Sequence, residues 1–514
     1  MSSDPSFHDE FLHAQIDEAQ KSLEAITKFG MEYLQQAIVL LKSCYTTKFS
    51  YLSRVTQPWI FKPFASIILD RIRNSLGSMI GHPLTNNQWD QCLLKPRHGG
   101  LGIMNIPDTA NGAYLASVLA CLRNIDNVSS TQDLGLHPLS FNSDGSMTHS
   151  NSFSSLLDPL YNIMTELHDK ATKYDRSMSL YVLERIPSAD RKTPGFITPE
   201  DRRLRSIAVN SRAAAPLPSI KDLVGKPRKL QAMFSDFASK ACKQDLLTNL
   251  PPDDIIRIHS ASDEGAACIQ AQPTAPDRCF SSLEFKIYLY LRLGIQIARE
   301  DINCSLCSSD SNLSNLHLVN GCKKGDYCHR KHSIIMEEIT KLCKAANVQV
   351  ELESSFCFNA STNKRMDLVC KVNNKEFLVD VTTIDANNPS NGFVNGSEVS
   401  LSYFPGAAAA NKAKSKLRKY NKVISANKEL VPFVIETQGR WGFPAREFFK
   451  MVYAKIPLQG SRISRNFWQQ KISIAYMKAT TSNIVHRFHT MKQMVFGPQA
   501  PQDLYYFEPY FGQD

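Results

Sequence analysis

The stretch Met366–Thr383, MDLVCKV-NN-KEFLVDVTT, leaves the chain around it few ways to fold. Two runs rich in Val, Leu and Phe flank Asn373-Asn374, and asparagine tolerates the left-handed backbone that a two-residue hairpin turn demands. With those asparagines as the turn, Val372 pairs with Lys375, and counting outward sets Asp367 opposite Asp380. Directly opposed side chains have Cβ atoms roughly 5 Å apart, so two carboxylates there repel. Mg2+ offsets such a repulsion, because it is held by one or two carboxylates together with substrate phosphate oxygens. The competing reading is a surface hairpin with two solvated aspartates.

The neighbouring segments supply a sheet and its helices. Ser333–Ala346 is an amphipathic helix with Ile334, Ile335, Ile339, Leu342 and Cys343 on one face. Asn347–Ser354 alternates, which sets Val348, Val350 and Leu352 on a core face and Gln349, Glu351 and Glu353 on a polar one. After the hairpin, Ala407–Ala426 is a strong helix former carrying Lys412, Lys414, Lys416, Arg418, Lys419 and Lys422 with no acid among them. Lys412, Lys416 and Lys419 share a face, with Tyr420 beside it. Leu430–Thr437 is a further apolar strand that reaches Glu436. The order is helix, three strands, basic helix, strand. Glu353 and the Asp367/Asp380 pair then converge on one sheet edge, and a lysine from the basic helix approaches a scissile phosphate. In that chemistry two carboxylates hold Mg2+, the ion activates a water, and the lysine stabilises charge growing on the phosphate.

A second motif lies upstream. Cys304-Ser-Leu-Cys307, His317 and Cys322 follow the spacing C-x2-C-x9-H-x4-C. Two thiolates, an imidazole and a third thiolate complete the tetrahedron preferred by structural Zn2+, with no position left open for chemistry. The metal would supply folding energy to a segment, Asp301–Lys324, too polar to build its own core. Cys328, His329 and His332 form a rival set, any one of which could replace His317 or Cys322.

The rest of the 514-residue chain reads mostly as helix. Apolar positions recur at helical spacing over residues 8–48, 51–80, 111–122, 156–183 and 467–494. Leu93–Ile103, LLKPRHGGLGI, lacks the Gly-Lys-Ser/Thr of a phosphate loop and reads as a tight turn between helices. Residues 128–155 are Ser-rich and read as a linker. Arg202, Arg203, Arg205 and Arg212 form a basic run, either a solvated face or a phosphate contact. The aromatic tail with Tyr505, Tyr506, Phe507, Tyr510 and Phe511 reads as docked on the body. A net charge of +10 leans towards an anionic partner. The 13 scattered cysteines, a polar N-terminus and the absence of any long apolar run imply a reducing, intracellular compartment and no membrane span.

Taken together, Cys304–Gly439 resembles the zinc-knuckle and restriction-like endonuclease module at the C-terminus of site-specific non-LTR retrotransposon proteins. The matching pieces are Cys304-x2-Cys307, His317-x4-Cys322, Arg330-x-His332, Glu353, Met366-Asp367, Asp380-Val-Thr, Lys416-x2-Lys419-Tyr420 and Pro432-Phe-x-x-Glu436-x-x-Gly439. The Gly99-Gly100 turn with the following Ala113-Tyr-Leu-Ala-Ser helix resembles the segment just after the polymerase core of the same elements. Ser262-Asp-Glu-Gly-Ala and Arg292-Leu-Gly extend the likeness over most of residues 45–455.

The resemblance implies an α+β multidomain protein with a mostly helical N-terminal half, a zinc knuckle and a PD-(D/E)xK endonuclease domain. The expected divisions are a thumb-like region (1–127), linker (128–155), helical domain (156–300), knuckle (301–332), endonuclease (333–455) and helical extension (456–514). The implied catalytic set is Glu353, Asp367, Asp380, Lys416, Tyr420 and Glu436, with Lys412 or Lys419 as substitutes for Lys416. Arg330, His332, Lys412 and Lys419 are the implied nucleic-acid contacts. The module would nick target DNA with Mg2+ in the nucleus, with element RNA as a second partner. Met366 replaces the family's proline, Thr382 stands where simpler nucleases place lysine, and no Tyr-x-Asp-Asp polymerase box is present. The alternatives are a non-cutting nucleic-acid-binding remnant and a helical interaction protein with a decayed nuclease fold.

Overall fold

A computed structural model of the chain describes residues 5–128, 154–185, 217, 219, 222–223, 230–298, 304, 307, 314–315, 317–321, 327–354, 365–372, 375–387, 405–420, 428–457 and 464–496. The linker, the basic run at Arg202–Arg212, Cys322, the Asn373-Asn374 turn and the aromatic tail lie outside the described residues. The protein is α+β, largely helical, with one small four-stranded mixed sheet. Two compact units divide it: residues 1–32, 36–95 and 102–249 in one, and 33–35, 96–101 and 250–514 in the other.

In chain order the first helices are α1 (Pro5–Gly30), α2 (Leu34–Leu40), α3 (Thr46–Val55), α4 (Pro58–Ile80), α5 (Asn86–Leu93), α6 (Ile106–Val128), α7 (Ser154–Arg185) and α8 (Leu230–Thr248). The apolar stripes read from the sequence are largely buried, with Leu23, Ile38, Leu41, Phe61, Ile72 and Leu76 within the core, but Phe11 and Phe29 of the first stripe are exposed and Leu12 is buried beside Phe11. Leu115, Leu119, Leu160, Met164, Leu230 and Phe234 pack α6, α7 and α8 together. Thr85 and Gln88 cap α5 reciprocally, each side chain bonding the other's backbone N–H.

The second unit continues with α9 (Pro252–Ser260), α10 (Ala267–Gln270), α11 (Ser282–Leu293), α12 (Tyr327–Ala345), α13 (Ala407–Tyr420), α14 (Phe443–Tyr453) and α15 (Arg465–Phe496). Its strands are β1 (Gln349–Ser354), β2 (Met366–Val372), β3 (Lys375–Ile384) and β4 (Lys428–Glu436). They lie side by side in sequence order. β1, β2 and β3 form an antiparallel meander, and β4 adds parallel to β3. The hairpin register is the one counted from the sequence, Val372 against Lys375. Cys343 of α12 packs on Cys370, and Tyr420 of α13 packs on Leu378. Because Cys370 pairs with Phe377, alternation puts Leu378 on the other face, so the two helices cover opposite sides of the sheet.

β1 departs from its expected alternation at one point. Val348 is buried, but Leu352 is 53% exposed although its partner Leu368 is fully buried. β1 pairs only with β2, and an edge strand covers one flank of its side chains with solvent alone.

The Ser262-Asp-Glu-Gly-Ala segment is a junction. Asp263 pairs with Arg440 at 2.6 Å and Glu264 with Arg446 at 2.7 Å. The Ser260 carbonyl accepts from the Arg440 N–H at 3.1 Å, and Gln438 Nε2 donates to the Leu291 carbonyl at 3.1 Å. A Cβ on Gly265 would stand 2.6 Å from the Ser260 oxygen and 2.8 Å from the Gln438 oxygen, both backbone atoms. Gly265→Ala is therefore expected to lower stability by about 1–3 kcal/mol through overpacking, read as an earlier urea midpoint at unchanged m-value.

Candidate catalytic and metal-binding sites

The antiparallel pairing of β2 with β3 ends at Leu368–Val379, one residue short of Asp367. β3 runs on beside β4, with Asp380 against Pro432. The two strands therefore fork at the aspartates. The Val381 N–H, left without a β2 carbonyl, donates to Asp367 Oδ2 at 2.7 Å. His332 Nε2, from the first turns of α12, reaches the same oxygen at 3.0 Å. On the other arm, Lys416 Nζ lies 2.8 Å from Asp380 Oδ2 and 3.0 Å from Oδ1. The Tyr420 hydroxyl donates to Oδ1 at 3.3 Å and the Thr382 hydroxyl to Oδ2 at 3.2 Å. Lys416 and Tyr420 are four apart on α13, the spacing that brings both onto one face.

Each aspartate thus has a basic partner within the chain, Lys416 on Asp380 and His332 on Asp367. His332, read as a nucleic-acid contact or rival zinc ligand, lies against Asp367. The hydrogen bond to Asp367 holds its imidazolium above the usual histidine range; partial burial opposes this, the Asp367 and Asp380 charges add to it, and Lys416 opposes it. His332, Asp367, Asp380 and Lys416 thus form one electrostatic group.

The other implied residues stand elsewhere. Glu353 falls between the Leu352–Leu368 and Ser354–Met366 pairs of β1 and adopts a left-handed φ of 49°. Its side chain is 67% exposed and meets Arg365 at 3.6 Å, so it does not join the two aspartates. A positive φ at a non-glycine residue turns the side chain off the regular strand direction, which explains the loss. Glu436 is 2% exposed and accepts the Ala409 N–H at 3.1 Å. It caps the first turn of α13 from β4. Burial pushes its carboxyl above the usual range, with Arg440, the Ala409 N–H, Arg446 and Ser260 pulling it back. Of the alternative lysines, Lys419 is exposed with its ammonium 5.1 Å from the Tyr420 ring centre, and Lys412 is half-buried. Arg330 is exposed on α12.

The upstream motif gathers as a donor cluster. The ligand atoms of Cys304, Cys307 and His317 all lie within 4.8 Å of one another. Cys307 Sγ is 3.6 Å from His317 Nε2. A tetrahedral zinc with ordinary Zn–S and Zn–N lengths separates such a pair by about 3.5 Å. His317 opens a π-helical turn, His317–Gly321, whose carbonyls are held by two buried cations. Arg487 donates to the His317 and Leu318 oxygens at 3.2 and 2.7 Å, and Lys331 to the Val319 oxygen at 2.9 Å. Desolvation brings the Lys331 ammonium down to about 8. Burial and the Arg487 charge also hold His317 below the usual histidine range, which keeps its imidazole neutral and able to ligate. Cys328 and His329 are exposed on α12 and do not join the cluster among the described residues.

Sequence reasoning placed Arg292 in a matching motif but gave it no role. Its guanidinium is fully buried and donates to the carbonyls of Gly100 at 2.9 Å, Gly265 at 3.0 Å and Pro96 at 3.4 Å. The Gly-Gly turn, the Ser-Asp-Glu-Gly segment and the Arg-Leu-Gly segment, three separate motifs in the sequence, meet at this one side chain. Among the described residues no helix is long and apolar enough to cross a membrane. No family model matches the chain, and no curated protein matches it significantly.

Proposed function

We propose that the second unit carries a Mg2+-dependent DNA endonuclease of the restriction-like type, derived from a non-LTR retrotransposon, with a structural Zn2+ on Cys304, Cys307, His317 and Cys322. A nuclear location and a DNA partner follow from that reading, with element RNA as a possible second ligand. The observation that carries it is the fork of β2 and β3, where Asp367 and Asp380 lie on neighbouring strands beside a lysine from the following helix. Carboxylate oxygens are the donors a hard cation takes: both hydrogen bonds to Asp367 fall on Oδ2 and neither on Oδ1, whereas both oxygens of Asp380 are engaged by Lys416, Tyr420 and Thr382, so Lys416 would have to yield an oxygen to the ion. Asp367 and Asp380 would hold Mg2+, which when bound polarises the phosphate and acidifies a coordinated water. Lys416 is the group to meet negative charge as it grows on the phosphate. Tyr420 and Thr382 orient Asp380, and His332 and the Val381 N–H orient Asp367.

The second reading, a nucleic-acid-binding remnant that does not cut, is favoured by one observation. Glu353 stands off from the pair, so the third carboxylate of the implied set is not assembled. Nicking of supercoiled plasmid with Mg2+ separates the two. Under the first, the wild type nicks and Asp380→Asn loses at least about 100-fold in rate, roughly 2.7 kcal/mol of barrier, while DNA binding persists with its steep salt dependence. A wild type that binds DNA and never nicks it assigns the second.

A further inference from the structure

The first unit contains a cavity of about 510 Å³ that the nuclease reading does not use. Its walls come from α5, the segment between α5 and α6, the start of α6, and α8. The volume is within the ordinary range for small-molecule sites, which combine apolar walls with a few convergent polar groups. Here Leu93, Ile103, Met104, Ala238 and Leu246 supply the walls. The charged groups of the cavity are mostly acidic. Asp90, Asp108 and Asp245 all line the cavity, and Lys95, the single cation lining it, is tied to Asp236 at 3.3 Å.

Asp108 is the central group. Its Oδ2 accepts from Asn105 Nδ2 at 2.6 Å and from the Cys242 thiol at 3.3 Å, and among the described residues no lysine or arginine pairs with it. Asp90 and Asp245 are exposed at the rim, where Asp245 meets Lys170 at 3.2 Å. Partial burial raises the Asp90 carboxyl above its usual range, with Arg73 pulling it down and Asp108 pushing it up. Burial pushes the Cys242 thiol far up, and Asp108, Asp245 and Asp90 all add to that. The three carboxylates therefore act on one small volume. In a chain of net charge +10, this pocket is a local exception. It repels phosphate, so a nucleic acid is the wrong ligand for it.

We propose that the cavity binds a small organic cation, an amidinium, guanidinium or ammonium group on an apolar stem. The charged head meets Asp108, with Asp90 and Asp245 completing the negative rim, and the stem lies along Leu93, Met104 and Leu246. The test titrates the full-length protein by calorimetry with benzamidine, and with benzamide as its uncharged isostere. Benzamidine is expected to bind with a Kd below about 1 mM and benzamide at least tenfold more weakly. Asp108→Asn is expected to weaken benzamidine about tenfold or more. Because Asp108 also bonds Asn105 at the start of α6, the exposed rim variant Asp90→Asn provides a second arm, with a smaller loss in the same direction. Equal affinities for the two probes, or wild-type binding by both variants, would overturn the assignment.

Discussion

Arg292→Met will destabilise the second unit by about 3–5 kcal/mol, the cost of removing one partner from a buried, charge-assisted network. Methionine fills much of the volume, so the loss isolates the hydrogen bonds from a cavity. The carbonyls of Gly100 and Gly265 would each lose a charged donor in a fully buried setting. Gly99 stands at φ +99°, and a Cβ there would lie 2.5 Å from the Ile258 oxygen, so the turn has little room to rearrange. Arg257, whose guanidinium holds the Arg292 carbonyl and Asp254, would remain in place. Urea unfolding followed by circular dichroism measures the effect. A midpoint equal to the wild type would show that the carbonyls find other donors and that the motif convergence carries no energy.

On the proposed zinc reading, withdrawing the metal is expected to unfold the segment around His317 and lower the melting temperature of the protein by more than any substitution at the aspartates. Structural zinc contributes on the order of 10 kcal/mol of apparent binding energy to small zinc domains, and that energy is folding energy. Protein purified in zinc should carry one equivalent by mass spectrometry, and a strong chelator or Cys307→Ser should remove it. The pH dependence follows from His317. Its pKa lies below the usual histidine value, so the imidazole stays neutral further into acid. Metal retention should therefore extend further into acid than an ordinary histidine would allow, and be lost on further acidification as protons compete for the nitrogen and the thiolates. Protein that melts identically with and without chelator would leave the three side chains as unligated neighbours.

Much of the sheet and of the helices packed on it was legible in the sequence, and the exceptions have local causes. The hairpin register could be counted because strand alternation has a period of two and the two asparagines restricted where the turn could lie. Lys416 came only from the family likeness, with Lys412 and Lys419 left open, because residue spacing on the helix does not choose among them; in the structure Lys416 and Tyr420, one turn apart, both arrive at Asp380. Glu353 could not, because its departure rests on a single backbone dihedral that no pattern of residue types announces. Glu436 read as a site acid because it is part of the Pro432-Phe-x-x-Glu436-x-x-Gly439 motif; its bond to the Ala409 N–H depends on the approach of the α13 N-terminus, which the motif does not announce. His332 was read from the Arg330-x-His332 motif and from its nearness to Cys328, and neither announces its bond to Asp367. The cavity left no sequence signal at all, since Asp90, Asp108 and Cys242 come from three helices and mean nothing until those helices pack.

The junction at Gly265 bears on where the second unit can be cut. Motif spacing invites a boundary near residue 300, just ahead of the knuckle. Yet Arg440 and Arg446, which follow β4, find their counter-charges on Asp263 and Glu264, and Gln438 leans on the Leu291 carbonyl. A cut near residue 300 would thus sever these contacts, and a cut at Leu250 would still remove the Pro96 and Gly100 carbonyls that hold Arg292, so the segment that looks like a spacer is part of the same packed unit.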